Sequence, residues 1–487
     1  TQLLRESVLL SLVGGAGGLL LAVWGVDLLV AGIPADMVGS FHGMANIGIS
    51  RTVLLFTLGI SILTGIVFGL APALSSAKLD LNEALKATAK TSSARSGLRS
   101  AFVVSQLALA LVLLIGAGLM TRSFVRLLNV KLGFNPKNVL TTRIELPGSR
   151  YQNGDQRRQF FGRLLERAQS MPGVQSAGAI SLLPLSGYSM MGRFAVEGQP
   201  EPEPGKGKSI PIGTVTPGYF RTMQIPLIDG RLFDERDAEK MPDVAIVNES
   251  MAKKFWPGQN PIGKKVGAAC NGHELCRTVV GVVGDIRHEG LGEEAQPEIY
   301  LPHRQLTLPN MSLVLRTAGD PLLIVSAMRN EVRALDKDQP VALVQTLEEH
   351  ISESVLQPRL LTTLLSVFAG LGLVLAAVGV YAMMSYSVSQ RRGEIGIRIA
   401  LGAMKTDILR LVVGQAALLV GVSLAIGLTA ALGATRLLRS LLYQVGIWDP
   451  LTFGAIVLLL ALVAIFAAWL PARRAAKINP MVALRAE

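Results

Sequence analysis

The stretch QRRGEIGIRIALGAMKTDILR, residues 390–410, is where residues 360–390, a run without a single charge, meet water again. A hydrocarbon core of about 30 Å takes roughly 20 apolar helical residues to cross, so the uncharged run reads as a membrane span. Two arginines and a short mixed segment follow, and the chain turns apolar once more at Leu411. Within the segment, Ile395 lies one helical turn from Ile399, and Arg398 one turn from Gly402. That spacing predicts a short helix across the base of the membrane, anchored by Ile395 and Ile399, with Arg398 at the interface and Gly402 as its end. A solvated loop is the plainer alternative, because Ile395, Ile397, Ile399 and Leu401 also alternate.

Working outward, six uncharged runs approach or exceed spanning length, at residues 8–26, 52–74, 101–119, 361–386, 411–434 and 451–470. Helices buried in a soluble core rarely exceed about 14 residues without a charge. Half of the residues are hydrophobic and only 17% are charged, which is too apolar for an ordinary soluble protein. The expectation is an α-helical membrane protein with six transmembrane helices in a lipid bilayer.

A formal charge of +12 could suggest nucleic acid. Its distribution points elsewhere, because the concentrated excess falls in three segments that each abut a span. These are Lys78, Lys86, Lys90, Arg95 and Arg99; Arg391, Arg392, Arg398, Lys405 and Arg410; and Arg473, Arg474, Lys477 and Arg485. The positive-inside rule accounts for them without any polyanion, so no nucleic-acid partner is expected. With those segments in the cytoplasm the helices alternate consistently, and residues 122–359 lie wholly outside it. Arg122, Arg126, Lys131, Arg436 and Arg439 then fall on the outer side and weaken the bias without reversing it.

The two ends of the chain repeat each other. LAPALSSAKLDLNEALKA, residues 70–87, aligns with LPARRAAKINPMVALRA, residues 470–486, setting Pro72 on Pro471, Lys78 on Lys477 and Leu85 on Leu484. Residues 1–87 thus repeat 408–487 as a helical hairpin with a basic tail, a kind of duplication common in membrane transporters. The chain opens on Thr1 and is apolar by Val8 with no basic segment before it, so no signal peptide is read there and a start within a longer protein is expected.

The outer region has a different texture. VLTTRIELP (139–147) and RTVVGVVGDI (277–286) read as strands, as do residues 244–248, 298–301, 312–316 and 341–345. One helix should bury Phe160, Phe161, Leu164, Leu165 and Ala168, and another Leu322, Leu323, Val325, Met328, Val332 and Leu335. A large mixed α/β extracytoplasmic domain follows, joined to the membrane by helical stalks, of which the first should align Phe124, Leu127 and Leu128.

Few residues suggest chemistry. GQNPIGKK, residues 258–265, has the spacing of a phosphate-binding loop, but Lys265 stands where Ser or Thr must hold magnesium, so a polar turn before a strand is expected. Cys270 and Cys276, the only cysteines, flank Asn-Gly in CNGHELC and suggest a disulfide closing a hairpin loop; with His273, a metal site is the weaker alternative. No triad-like arrangement stands out, and neither catalysis nor a resident metal is expected. In the spans, small residues at Gly14 and Gly18, Gly372 and Ala376, and Gly421 and Ala425 are placed for close helix packing. No ionisable residue interrupts a span, which argues against a proton or ion relay.

GEIGIRIALGA, residues 393–403, resembles the coupling-helix signature of MacB/FtsX-type ABC permeases, and LPARRAAKINPMVALR, residues 470–485, resembles the end of the same permease domain. The outer region is similar to the MacB-like periplasmic core domain in TPGYFRTMQIPLIDGR (216–231), VAIVNESMAKKFWPGQNPIGK (244–264) and GVVGDIRHEGL (281–291). Together these cover nearly the whole chain. The resemblance implies that Glu394, Gly396, Arg398, Gly402 and Ala403 belong to a helix that docks into a separate cytoplasmic ABC ATPase. It implies mechanotransmission, in which ATP bound and hydrolysed by that partner moves the outer domain for efflux or extraction, with no cofactor and no enzyme activity in this chain. It further implies a bacterial inner membrane, a dimer or pseudo-dimer with another permease unit, and a periplasmic adaptor as a candidate partner.

A standard permease of this family has four spans, and this chain has an extra hairpin ahead of them. That resembles the duplicated orphan permeases of the family. The expected division is then 1–87, the last two helices and basic tail of a first unit; 88–121, a cytoplasmic linker and first helix of a second unit; 122–359, the periplasmic core with its stalks; and 360–487, three helices with the coupling helix. An FtsX-like regulator of a cell-wall hydrolase or sensor is the alternative function.

Overall fold

The computed structural model describes residues 2–31, 50–77, 90–186, 190–197, 209–267 and 276–476. The chain divides into two compact units, Thr1–Ser105 and Gln106–Glu487. In the first, α1 (Gln2–Ala31) packs against α2 (Arg51–Ala77). Their close approach is at Gly15, where an added Cβ would lie 2.7 Å from Ser61 Oγ; open space surrounds Gly14 and Gly18. The expected seam was therefore displaced by one residue. The basic tails aligned in the repeat, residues 78–87 and 477–486, lie outside the described residues.

A third helix, α3 (Lys90–Leu128), is apolar over Arg99–Leu128, and its residues from Gln106 onward belong to the second unit. At the far end of the chain come α9 (Leu356–Gln390), α10 (Arg392–Ala400), α11 (Lys405–Ala434) and α12 (Pro450–Ala475). Among the described residues five helices are long and apolar enough to cross a membrane; the apolar part of α2, Arg51–Ile66, falls short of that length. With 35 residues, α9 extends about 52 Å, well beyond a hydrocarbon core, so its first turns serve as a stalk. Within the second unit, Gly372 of α9 meets Ala110 of α3 with 3.7 Å between an added Cβ and the backbone. Gly421 and Ala425 are exposed instead, and the tight position on α11 is Gly427, whose Cβ would sit 3.1 Å from Ala108.

Between α3 and α9 the chain builds a mixed sheet whose main path is β12 (Ala342–Thr346), β1 (Val139–Glu145), β11 (Asn310–Thr317), β2 (Val174–Ile180), β5 (Ser209–Val215), β10 (Ile299–Pro302), β7 (Val244–Asn248), β9 (Cys276–Val283), β8 (Lys265–Gly267), β4 (Ala195–Val196). Short strands β3 (Met191–Arg193) and β6 (Leu227–Gly230) pair with β5 and β9. β1 and β11 are antiparallel, whereas β5 with β10 and β7 with β9 are parallel. β2 and β5 pair only briefly, at Ile180 and Val215, flanked by the bonds Ser181 N–H to Thr214 O at 2.8 Å and Thr216 N–H to Ala179 O at 2.9 Å, and this short pairing divides the sheet into two halves.

Strand periodicity assigns the cores. Leu140 and Ile144 of β1 and Leu313 and Leu315 of β11 face one side, where α4 (Gly154–Gln169) and α7 (Val325–Leu335) cover them with Phe160, Phe161, Leu164, Met328 and Val332. Asn153 caps α4 by accepting the Gln156 N–H at 3.0 Å. Val139 and Val314 face the other side, into a second core with Tyr219, Phe220 and Tyr300. In the second half of the sheet, Met251 of α6 (Glu249–Phe255) and Trp256 pack against Ala245, Val247 and Val279.

The helix expected to carry Leu322 and Leu323 inward is a 3-10 turn, Pro321–Ile324, before α7. A 3-10 turn advances 120° per residue, so Ile324 is buried while Leu322 and Leu323 stand 48% and 80% exposed. Likewise Leu127 is buried and Leu128 is 55% exposed, because successive residues on a helix diverge by 100°. Residues 258–264 form turns leading into β8 and no helix follows them, so the local context of a phosphate-binding loop is missing. Cys276, a disulfide-bonded residue, opens β9, while Cys270 and His273 lie outside the described residues.

Candidate functional site

Helix α9 leaves the outer domain at Leu356 and ends at Gln390; α11 runs back from Lys405. α10 therefore sits at the end of the helices farthest along the chain from the outer domain, with Arg391 as the turn between them. Its Ile395 is 1% exposed and Gly396 is buried, while Ile399 is half-buried, so this face of α10 packs against the rest of the protein. The adjoining exposed flank carries Glu394 and Arg398, one turn apart and joined by a 2.7 Å ion pair. Both side chains are almost half exposed, so the pair holds the helix by only about 0.3–0.5 kcal/mol.

The end of α10 is a Schellman turn. Ala403 N–H donates to Arg398 O and Gly402 N–H to Ile399 O, each at 3.0 Å, with Gly402 at φ +96°. Gly402 is exposed and nothing lies within 4 Å of an added Cβ, so the glycine is required by its left-handed backbone alone. Ala403 is half-buried beside it. Asp407 then accepts the Met404 N–H at 2.9 Å and starts α11.

Three apolar side chains that the spacing argument did not single out complete the surface: Ile397 at 50%, Leu401 at 82% and Met404 at 72% exposure. Ile397 lies on α10, Leu401 caps its end, and Met404 stands beyond the left-handed Gly402 at the start of α11, so helical spacing does not group the three. The segment thus presents exposed apolar side chains beside a charged pair. Near the same end, Arg474 of α12 donates to the Tyr381 hydroxyl of α9 at 2.8 Å, tying two helices that flank α10 and α11.

At the opposite end lies a joint that the sequence did not reveal. Arg122 of α3 pairs with Asp449, Arg126 donates to Gln444 O, and the Ser123 hydroxyl accepts the Tyr443 N–H at 2.7 Å. Arg287, from the outer domain, lies 5.8 Å from the centre of the Tyr443 ring. Leu127, Leu185, Leu291 and Val355 pack into one small core with Tyr443 against it. The loop between α11 and α12 thus grips the outer end of α3 and the base of the outer domain. A capping box at α8 (Leu347–Ser354), with Thr346 N–H to Glu349 at 2.7 Å and Glu349 N–H to Thr346 at 3.1 Å, stiffens the second connection. Polar and apolar contacts, rather than a loose linker, thus join α3 and α9 to the outer domain.

Comparison with known proteins gives two family matches: the MacB-like periplasmic core domain over residues 100–348, half of the chain, and the FtsX-like permease C-terminal domain over residues 366–480. A macrolide export ATP-binding/permease protein, MacB 2, of Aeromonas hydrophila subsp. hydrophila is 31% identical over 295 residues, covering 55% of this chain and 42% of the relative. The corresponding MacB protein of Bartonella henselae is 29% identical over 288 residues, covering 56% of this chain and 42% of itself. The chain thus spans less than half the length of these curated relatives. The solved periplasmic region of MacB from Actinobacillus actinomycetemcomitans covers 46% of this chain and 94% of its own at 17% identity, with a TM-score of 0.31.

Proposed function

Because this chain belongs to the MacB/FtsX-type family of ABC permeases, a multi-pass inner-membrane protein with an extracytoplasmic domain, we propose that it couples a separate cytoplasmic ATPase to movement of that domain. The observation that carries this reading is the exposure of Ile397, Leu401 and Met404 beside Arg398, at the end of the helices opposite the stalks. Closure of the ATPase would press on α10, displace α9 and α3, and shift the outer domain through the joint at Tyr443. The residues Glu394, Gly396, Arg398, Gly402 and Ala403 form the docking element. ATP chemistry belongs to the partner, and this chain supplies only the lever. Efflux or extraction of a periplasmic or membrane-embedded molecule is the output. Residues 1–87 act as the closing part of a first permease unit, making the pair a pseudo-dimer.

A regulatory output is the second reading. The edge strand β6 presents Leu227 and Ile228 at 42% and 51% exposure, an apolar surface suited to a protein partner such as an adaptor, a hydrolase or a sensor. The test is reconstitution of the complete protein with its ATPase in nanodiscs. Stimulated ATP turnover in wild type, lost in Arg398→Glu with normal membrane insertion, supports the coupling reading; equal turnover in both overturns it.

A further inference from the structure

A cleft of about 470 Å³, counted to its open mouth, lies where β1, β11 and β12 meet the segment that follows β2 and His350 of α8. That is the size of a small-molecule site. β12 bulges there: Thr141 pairs with Gln345 but Arg143 with Ala342, so Leu343 and Val344 together stand opposite Thr142. Leu343 takes φ +50°, a conformation leucine rarely adopts, and lines the cleft while 61% exposed.

The polar groups left free in the cleft are donors. Arg143 stands directly opposite Ser312 across β1 and β11, and its half-buried guanidinium has neither an ion pair nor a hydrogen bond among the described residues. Ser186 Oγ is buried without a partner, which buried hydroxyls ordinarily have. Ser181 Oγ accepts the Thr214 N–H at 3.0 Å and still has its own hydrogen to give. The threonines are already engaged, Thr141 with Gln345 O at 3.1 Å and Thr142 with Ala342 O at 2.9 Å. His350 is held neutral: Nε2–H donates to Pro184 O at 2.9 Å, Nδ1 accepts from Gln345 Nε2 at 2.9 Å, and burial lowers its affinity for a proton. No carboxylate and no second lysine or arginine is among the described residues that line the cleft.

We propose that this cleft binds an aliphatic monocarboxylate, its carboxylate on Arg143 and the serine hydroxyls and its chain against Leu182 and Leu343. A guanidinium offers a carboxylate two parallel N–H bonds, and one guanidinium balances one negative charge. A phosphate monoester would set nearly two charges against that single cation, and an ammonium would be repelled by it. The described apolar wall is leucine with no aromatic ring, which suits a saturated chain. A ligand held by Arg143 and Ser186 joins β1 to the segment whose Leu185 packs with Leu127 and Val355 at the stalks, so occupancy stabilises the outer domain at its base. None of this depends on an ATPase docking at α10.

The test is isothermal titration of the complete chain in nanodiscs with sodium hexanoate, with empty nanodiscs as the blank. Saturable one-to-one binding is expected. Hexanamide, which lacks the charge, and acetate, which lacks the chain, should each bind weaker by about tenfold or more. Arg143→Gln should weaken hexanoate binding by about tenfold or more, and hexanoate should raise the melting temperature of wild type but not of that variant. The comparison among ligands needs no substitution, so the proposal stays testable if Arg143→Gln folds poorly. Absence of saturable hexanoate binding, equal affinity for hexanamide or acetate, tighter binding of hexyl phosphate than of hexanoate, or unchanged binding in folded Arg143→Gln would each overturn it.

Discussion

Arg122 on α3 pairs with Asp449, the residue that caps α12, across 327 positions of sequence. Asp449 also accepts from the Thr452 N–H at 3.1 Å and the Thr452 hydroxyl at 2.5 Å, so one carboxylate both starts a membrane helix and ties it to another. Asparagine caps helices about as well as aspartate but carries no charge, whereas alanine does neither, and losing a cap costs about 1 kcal/mol. Melting temperatures in nanodiscs should therefore fall in the order wild type, Asp449→Asn, Asp449→Ala. Identical melting of wild type and Asp449→Asn would show that the ion pair contributes nothing.

At α10, charge reversal at Arg398 removes the Glu394 pair as well as any contact with an ATPase, so the double exchange Glu394→Arg with Arg398→Glu separates the two effects. It restores an internal pair with opposite polarity. If docking is the role, coupled ATP turnover stays lost in the exchange variant; recovery to wild-type turnover would assign Arg398 to helix stability alone. Gly402→Leu forces a side chain into φ +96°, a cost of roughly 1–2 kcal/mol, and should uncouple turnover without lowering insertion.

Two buried groups give the outer domain opposing pH dependences. Burial pushes the Glu298 carboxyl from 4.5 up to about 8, so the folded state keeps a proton that the unfolded chain releases above pH 4.5. Its contribution to stability is full below pH 4.5 and is lost as pH rises through about 8. Burial pushes His303 from 6.5 down to about 4, so the folded state refuses a proton that the unfolded chain accepts. Stability from that group is full above pH 6.5 and is lost as pH falls through about 4. Melting scans should show Glu298→Gln flattening the alkaline decline only, and a decline unchanged by that substitution would contradict the assignment.

Topology is checked with single cysteines in a background lacking Cys270 and Cys276. Cysteines at Ser92 and Thr406 should be shielded from an impermeant thiol reagent in intact cells permeable only at the outer membrane, and one at Ser209 labelled. Labelling at Ser92 would invert the orientation.

Closing the short loop from Cys270 to Cys276 should stabilise the outer domain by about 2 kcal/mol, near the low end for disulfides. The double serine variant should therefore melt earlier yet still fold. Free thiols at both positions in protein taken from its own compartment would refute the bond.

What the sequence determined by itself depends on periodicity along one segment, and it failed where a helix began as a 3-10 turn, at Leu322 and Leu323. The apolar runs, β7 at Val244–Asn248, the buried face of α4 and the one-turn spacing of Arg398 and Gly402 are local features of the chain, and the structure places a helix or strand at each. The strand VQSAGAI (β2) was invisible because its small residues carry little β signal; Gly178 is there because α5 (Tyr219–Met223) crosses so closely that an added Cβ would lie 2.6 Å from Tyr219. Which small residues meet, Gly15 and Gly427 rather than Gly14 and Gly421, was decided by helix crossing points that no single helix specifies. The same holds for Arg122 with Asp449 and for His288 with Glu298: the sequence supplied the charges, but only the folded chain brought them together, because electrostatics and desolvation depend on distance and burial rather than on order along the chain.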